Sequence, residues 1–321
     1  MKLRSRVFAH VHYAITRALF VALIGSLFMV NASPTRPATA AQAGSAGKPL
    51  VIAHRGGAQE STENTIGAFQ RAGKIGADGI ETDIRLTRDG TVVVYHDDTF
   101  GRVEGLPQAQ RTRLVSDMTY AELTAQTLIP VGEDTGGRRV PTLNDLLAQV
   151  HSGLLNIELK RCAKFDDLVK KTITIFKSYP EMDRVVLEAP DLDTAKKLRK
   201  ALGPRLKLHI NPGYDSTVPL RDSLARVLKF KPHSVSISYK VLARDMVESA
   251  HRAGVEVWVW TVNDNDVAER MRTLGVDAIK TDRPTALMSL FGRRPATGMS
   301  AFRFSQHRLM FGVKGRHLSH Q

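Results

Sequence analysis

Between Leu50 and Lys280 the sequence switches repeatedly between two patterns of apolar residues. Short β-branched or apolar runs occupy Leu50 to His54, Gly79 to Ile84, Leu154 to Lys160, Val185 to Glu188, Leu206 to Ile210, Ser234 to Ile237, Val255 to Thr261 and Asp277 to Lys280. Between them, apolar positions recur every three or four residues at Glu63 to Ile75, Phe165 to Tyr179, Asp193 to Leu202, Ser223 to Phe230, Ala243 to Ala253 and Asp266 to Leu274. Side chains repeat every two residues along a strand and every 3.6 along a helix, so the first pattern predicts strands and the second amphipathic helices. Gly76, Gly203, Gly254 and Gly275 close four of the helical stretches, as left-handed caps do. Eight such units predict an α/β fold, a (β/α)8 TIM barrel of about 250 residues. The competing open, doubly wound sheet lacks a Gly-rich dinucleotide fingerprint.

The alternation is interrupted after the second strand. Thr91 to Tyr95 is a further β-branched run, and Asp89-Gly90 before it favours a two-residue hairpin. With that loop, residues whose numbers sum to about 179 face one another. Glu81, Asp83, His96 and Asp98 then share one face, and Ile80, Ile84, Leu86, Val93 and Tyr95 the other. Residues 98–140 form an insertion, with a helical piece at Tyr120 to Gln126, before Pro141-Thr142-Leu143 opens the helix preceding the third barrel strand.

Charge divides the 321-residue chain differently. It carries 46 Lys and Arg against 32 Asp and Glu, a formal net charge of +14. Residues 1–59 and 283–321 each hold seven basic residues and no acid, leaving 32 basic and 32 acidic residues in 60–282. A balanced body argues against a nucleic-acid partner. The first flank reads as a signal peptide over residues 1–32: Lys2, Arg4, Arg6 and Arg17, then an apolar run from Ala18 to Val30, then Val30-Asn31-Ala32 as a cleavage pattern. Residues 33–48 are a Pro/Ala/Gly/Ser spacer, 49–290 the barrel domain, and 291–321 a basic tail dotted with apolar residues. The expected location is exported, periplasmic or secreted, with an uncleaved signal anchor as the alternative. The tail suits peripheral contact with membrane or cell wall, or is a plain soluble extension. Cys162 is the only cysteine, so no internal disulfide forms.

In a barrel, chemistry belongs at the C-terminal ends of the strands. His54 ends strand one, Glu81 and Asp83 end strand two, Glu158 and Lys160 end strand three, and Trp260 stands near the end of strand seven. Glu81, Asp83 and Glu158 are hard oxygen ligands suited to Ca²⁺ or Mg²⁺, and Arg55 and Lys160 add positive charge for a phosphate. Trp258 reads as core.

These segments resemble the glycerophosphodiester phosphodiesterase family. The resemblance is carried by His54-Arg55-Gly56 with Glu63-Asn64-Thr65, Glu81-Thr82-Asp83, Asp89-Gly90 with His96-Asp97, Glu158-Leu159-Lys160 and Trp260-Thr261-Val262-Asn263, in family order over residues 50–290. It implies metal-dependent hydrolysis of a small glycerophosphodiester to sn-glycerol 3-phosphate and an alcohol. It further implies His54 and His96 as acid and base in an order left open, a divalent cation on Glu81, Asp83 and Glu158, phosphate contacts from Arg55 and Lys160, and a substrate wall at Trp260. Glu188-Ala189-Pro190 and Thr99-Phe100-Gly101-Arg102-Val103 depart from the family pattern and bear on head-group preference. Two other functions compete: a lysophospholipase D or sphingomyelinase D type activity on lipids, and a non-catalytic surface-binding barrel.

Overall fold

The computed structural model describes residues 47–293 except 106, 133–136 and 215. Eight parallel strands, β1 (Leu50–Ala53), β2 (Gly79–Leu86), β4 (Leu154–Leu159), β5 (Val185–Ala189), β6 (Lys207–Ile210), β7 (Ser234–Ser238), β8 (Glu256–Trp260) and β9 (Ala278–Thr281), pair in sequence order. β1 pairs with both β2 and β9, which closes the sheet into the expected barrel. β3 (Val92–Val94) lies antiparallel on β2 outside the closed set.

Alternation within each strand builds two layers. Val51, Ile80, Ile84, Leu155, Ile157, Leu187, Val235, Val257 and Ile279 belong to the main core between strands and helices. Ile52, Leu154, Val186, Trp258 and Ala278 form a separate apolar cluster. Each fully buried aliphatic side chain contributes roughly 1.5–3 kcal/mol, so the core is the dominant stabilising term. The polar inward positions Glu81, Asp83, Asn156, Glu188, His209 and Lys280 are buried as well.

The hairpin differs from expectation by one residue. Ile84 faces Val94, Arg85 faces Val93 and Leu86 faces Val92. The loop has three residues, Arg88 to Gly90, because Thr87 ties its base: the Thr87 and Gly90 N–H groups donate to the Thr91 and Thr87 carbonyls, and the Thr91 N–H donates to Thr87 Oγ1 at 2.9 Å. Gly90 takes φ +80°, the left-handed residue that such a loop requires. A one-residue slip exchanges faces. Val93 and Tyr95 therefore point into a second small core with Phe100, Val103, Val115, Leu123 and Val140, while Val92 and Val94 join the main core. Asp83 lies level with Tyr95, whose N–H donates to the Asp83 carbonyl, and is not directly opposite His96.

That second core makes the insertion a cap with its own interior. It includes the short helix Tyr120–Thr124, whose capping box joins Thr119 to Glu122. A second box, Thr142 with Asp145, starts the helix Leu143–Gln149. The helix expected from Glu63 begins at Ile66, because Asn64 adopts φ +56° and Thr65 is the N-cap.

The last helix is Pro284–Leu290, and contacts continue just beyond it. Phe291 is buried in the main core, and Arg293 binds Asp78 and, at 2.8 Å, the Pro49 carbonyl. The expected signal peptide, the spacer up to residue 46 and the tail from residue 294 lie outside the described residues.

Candidate active site

The mouth is organised by the turn that leaves β1. His54, Arg55 and Gly56 form one 3₁₀ turn in which Arg55 has φ +52°. The Arg55 N–H donates to Glu81 Oε2 at 3.0 Å and the Asn64 N–H to the Arg55 carbonyl at 2.9 Å. Gly56 is required on two counts: its φ is +85°, and a Cβ there would stand 2.7 Å from the Ala68 Cβ. The turn thus lays the backbone directly against the acids of β2.

Those acids form the centre. One carboxylate oxygen from each of Glu81, Asp83 and Glu158 lies within 4.8 Å of the others. Glu81 and Asp83 are buried and Glu158 is 19% exposed. Burial, then Asp83, raises the Glu81 carboxyl; burial, then Glu188 and Asp83, lifts Glu158 to about 7. Asp83 goes the other way: burial would raise it, but His96, Lys160 and Arg55 bring it to about 2. Asn64 reinforces this by donating to Asp83 Oδ2 at 3.0 Å while accepting from Thr82 Oγ1 at 2.8 Å. Three converging hard-oxygen donors, two of them raised by burial and then by neighbouring carboxylates, are the electrostatics that a divalent cation relieves. The trio fits such an ion.

Each histidine is held by an acid at Nδ1. His54 Nδ1 is 2.6 Å from Asp282 Oδ1 and its Nε2 is 3.9 Å from Glu81 Oε2. Burial disfavours its charge, but Glu81 and then the Asp282 hydrogen bond win, so the imidazole is raised above its ordinary value. Asn263 fixes Asp282 in turn, donating to Oδ2 and accepting the Asp282 N–H, both at 2.8 Å. His96 Nδ1 is 2.7 Å from Asp97 Oδ1, and Arg102 Nε donates to Asp97 Oδ2 at 2.6 Å. The His96 carbonyl receives Arg85 Nε and Nη2 at 2.8 and 2.6 Å. This clamp carries His96 back to the acids although it lies beyond β3.

The cations complete the network. Lys160 Nζ donates to Glu158 Oε1 at 2.9 Å and lies 3.6 Å from Asp83. Arg55 Nε is 3.7 Å from Asp83, and its Nη1 donates to Glu63, which also receives Arg102 at 3.0 Å. Trp260 ends β8 at the same mouth, its Nε1 without a hydrogen-bond partner among the described residues. Trp258 is core, as expected: fully buried, with its Nε1 on Glu256.

The sequence profile of the glycerophosphoryl diester phosphodiesterase family matches residues 54–286. A glycerophosphodiester phosphodiesterase of Caldanaerobacter subterraneus is 34% identical over 247 residues, covering 76% of this chain and 98% of the relative. The chain belongs to this family. The chain is also similar to the human lysophospholipase D GDPD1, 29% identical over 273 residues and covering 74% of this chain and 84% of that one. The solved glycerophosphodiester phosphodiesterase of Thermotoga maritima is 26% identical, covers 75% of this chain and 98% of that one, and superposes with a TM-score of 0.62.

Within the family frame, the residues that motif reading left unassigned are the supports: Asn64, Asp97, Arg102, Asn263 and Asp282 around the mouth, and Glu188 with Lys280 in the barrel interior. Asp97 and Asp282 each carried a signal, one as chain neighbour of His96 and the other as the first acid after the last strand. Arg102 lay in a segment marked only for head-group preference, and nothing in the sequence tied it to Asp97 and Glu63.

Proposed function

We propose that this protein hydrolyses glycerophosphodiesters to sn-glycerol 3-phosphate and an alcohol, with His54 and His96 as acid and base and a divalent cation, Ca²⁺ or Mg²⁺, on Glu81, Asp83 and Glu158. The observation that carries the reading is the pairing of each imidazole with a carboxylate at Nδ1, beside a buried trio of acids. A carboxylate on Nδ1 fixes the ring and leaves Nε2 to exchange a proton with substrate. One imidazole takes the proton of the attacking glycerol hydroxyl as its oxygen bonds to phosphorus, and the other protonates the alcohol oxygen as the phosphorus–oxygen bond breaks. Water then opens the cyclic phosphate with the two roles exchanged. Arg55 and Lys160 neutralise the phosphate oxygens, which gather charge in the transition state. A bound cation supplies Lewis-acid stabilisation of that charge. Trp260 offers an apolar wall to the glycerol backbone.

The test is release of glycerol 3-phosphate from glycerophosphocholine by the wild type, with and without excess chelator, and by the variant His54→Ala/His96→Ala. Full turnover by the double variant, or undiminished turnover in chelator, rejects the mechanism. A second reading, action on lysophospholipids, is favoured by the human relative and by a structural observation. Among the described residues, the exposed large apolar side chains Leu114, Ile129, Tyr214 and Val241 all lie on the insertion or on loops leaving strand ends at the mouth. A tenfold preference for lysophosphatidylcholine over glycerophosphocholine, about 1.4 kcal/mol in the transition state, decides for it. Export through residues 1–32 is part of the proposal on sequence grounds alone, and amino-terminal sequencing of the mature protein checks it.

A further inference from the structure

The carboxylate row at the mouth does not stop at the three acids. Strand register aligns Asp83 with Glu158, Glu158 with Glu188, and Glu188 with His209 on four neighbouring strands. Neighbouring strands stand about 4.8 Å apart, so Glu188 begins one strand spacing from Glu158. It is 3% exposed, yet it stays out of the converging trio.

Its partner comes from the far wall. β9 is four strands from β5 in either direction round the closed barrel, so Lys280 reaches across the axis. Its Nζ donates to Glu188 Oε2 at 2.6 Å, and the lysine is itself 3% exposed. His209 Nε2 lies 3.8 Å from the same oxygen, but burial pushes that imidazole down to about 3, so it is neutral; its Nδ1 is 2.7 Å from Ser234 Oγ. Lys280 is therefore the charge that holds Glu188. An apolar pair of equal volume often stabilises an interior as well as a buried ion pair does, so packing alone gives no reason for this one.

We propose that Lys280 is a positioning residue for the cation site: by holding Glu188 across the barrel axis, it keeps a fourth carboxylate out of the ligand set and limits that set to Glu81, Asp83 and Glu158. The inference rests on the reading of those three acids as cation ligands. Removing the ammonium frees Glu188 to swing toward the ion, which suits Ca²⁺, with its six to eight flexible oxygen ligands, better than Mg²⁺, which keeps a strict octahedron.

The test is calorimetric titration of Ca²⁺ and of Mg²⁺ into chelator-stripped full-length protein. Failure of the wild type to bind either ion overturns the ligand reading itself, independently of any variant. Given wild-type binding, Lys280→Met should bind Ca²⁺ at least tenfold tighter with a smaller change for Mg²⁺. Lys280→Met/Glu188→Gln should return to within threefold of wild type. Unchanged or weaker Ca²⁺ binding in Lys280→Met overturns the proposal, and so does a gain that persists in the double variant. If Lys280→Met does not fold, Lys280→Gln takes its place, alone and combined with Glu188→Gln, and the same outcomes support or overturn the proposal. A purely structural pair would lower thermal stability in the single variants and leave cation affinity and selectivity where they were.

Discussion

At the scale of single residues, the site is a set of acids made costly to ionise and then compensated. Glu158, lifted to about 7, and Glu81, also raised, hold protons in the folded state that the unfolded chain has already released above its ordinary carboxylate range. Stability of the cation-free protein therefore falls as pH rises from about 4.5 through about 7. His54, raised by Glu81 and Asp282, acts in the same direction, since its contribution is present below its ordinary value and is lost as pH climbs through the raised one. Asp83, at about 2, has its full stabilising effect throughout this window and does not alter the slope. Melting temperature of chelator-treated protein should decline across this range, Glu158→Gln should flatten the decline, and added Ca²⁺ or Mg²⁺ should remove most of it. A flat wild-type profile in chelator would contradict the electrostatic account. Arg102 gives a second residue-level prediction. It binds both Asp97, which holds His96, and Glu63, which holds Arg55, yet its side chain is 46% exposed. Arg102→Ala should lower kcat/KM ten- to a hundredfold with little change in melting temperature, because two catalytic-site side chains lose alignment while no core is disturbed. Lys in its place should recover only part of the loss, since it cannot span both acids with a planar fork.

At the scale of elements, what was legible in the sequence follows from which signals are local. All eight barrel strands announced themselves because apolar runs bounded by turn residues are a local pattern, and the helices between them because amphipathic spacing is one too. Register was a different matter. Asp89-Gly90 fits a two-residue loop and the tail of a three-residue loop equally well, and only the hydrogen bonds of Thr87 distinguish them. The same limit hid the supports: Asn64 was read as helix, when its positive φ is what delivers its amide to Asp83. The three acids still converge despite the register error because β2 and β4 alone place them, and Arg85 holds the His96 carbonyl from the neighbouring strand. Thr87 is fully buried and closes the loop through its hydroxyl. Thr87→Val should cost about 1–2 kcal/mol in urea unfolding, the price of one satisfied hydroxyl and one orphaned N–H. An unaltered unfolding midpoint would show that the backbone bonds alone fix the loop.

At the scale of the whole molecule, the basic excess lies in the flanks, while every proposed site residue and its supports fall between His54 and Asp282. A protein trimmed to residues 47–293 should therefore turn over glycerophosphocholine within about threefold of the full chain. Where the trimming stops matters more than how much it removes. The last helix ends at Leu290, and Phe291 and Arg293 just beyond it make contacts at the barrel's N-terminal end. Phe291 packs in the main core, and Arg293 ties Asp78, which itself accepts the Val51 N–H at 2.7 Å, to the carbonyls of Lys48 and Pro49. Losing a buried phenyl ring costs about 3–5 kcal/mol, and each kcal/mol is worth about 2–4 °C in a domain of this size. Residues 47–290 should accordingly melt several degrees, on the order of 10 °C, below residues 47–293 in a calorimetric scan. The damage lies at the opposite end of the strands from the proposed site. For that reason kcat at 20 °C should stay comparable between the two proteins while thermal inactivation separates them, and a matching loss of kcat would mean that the two ends of the barrel are coupled.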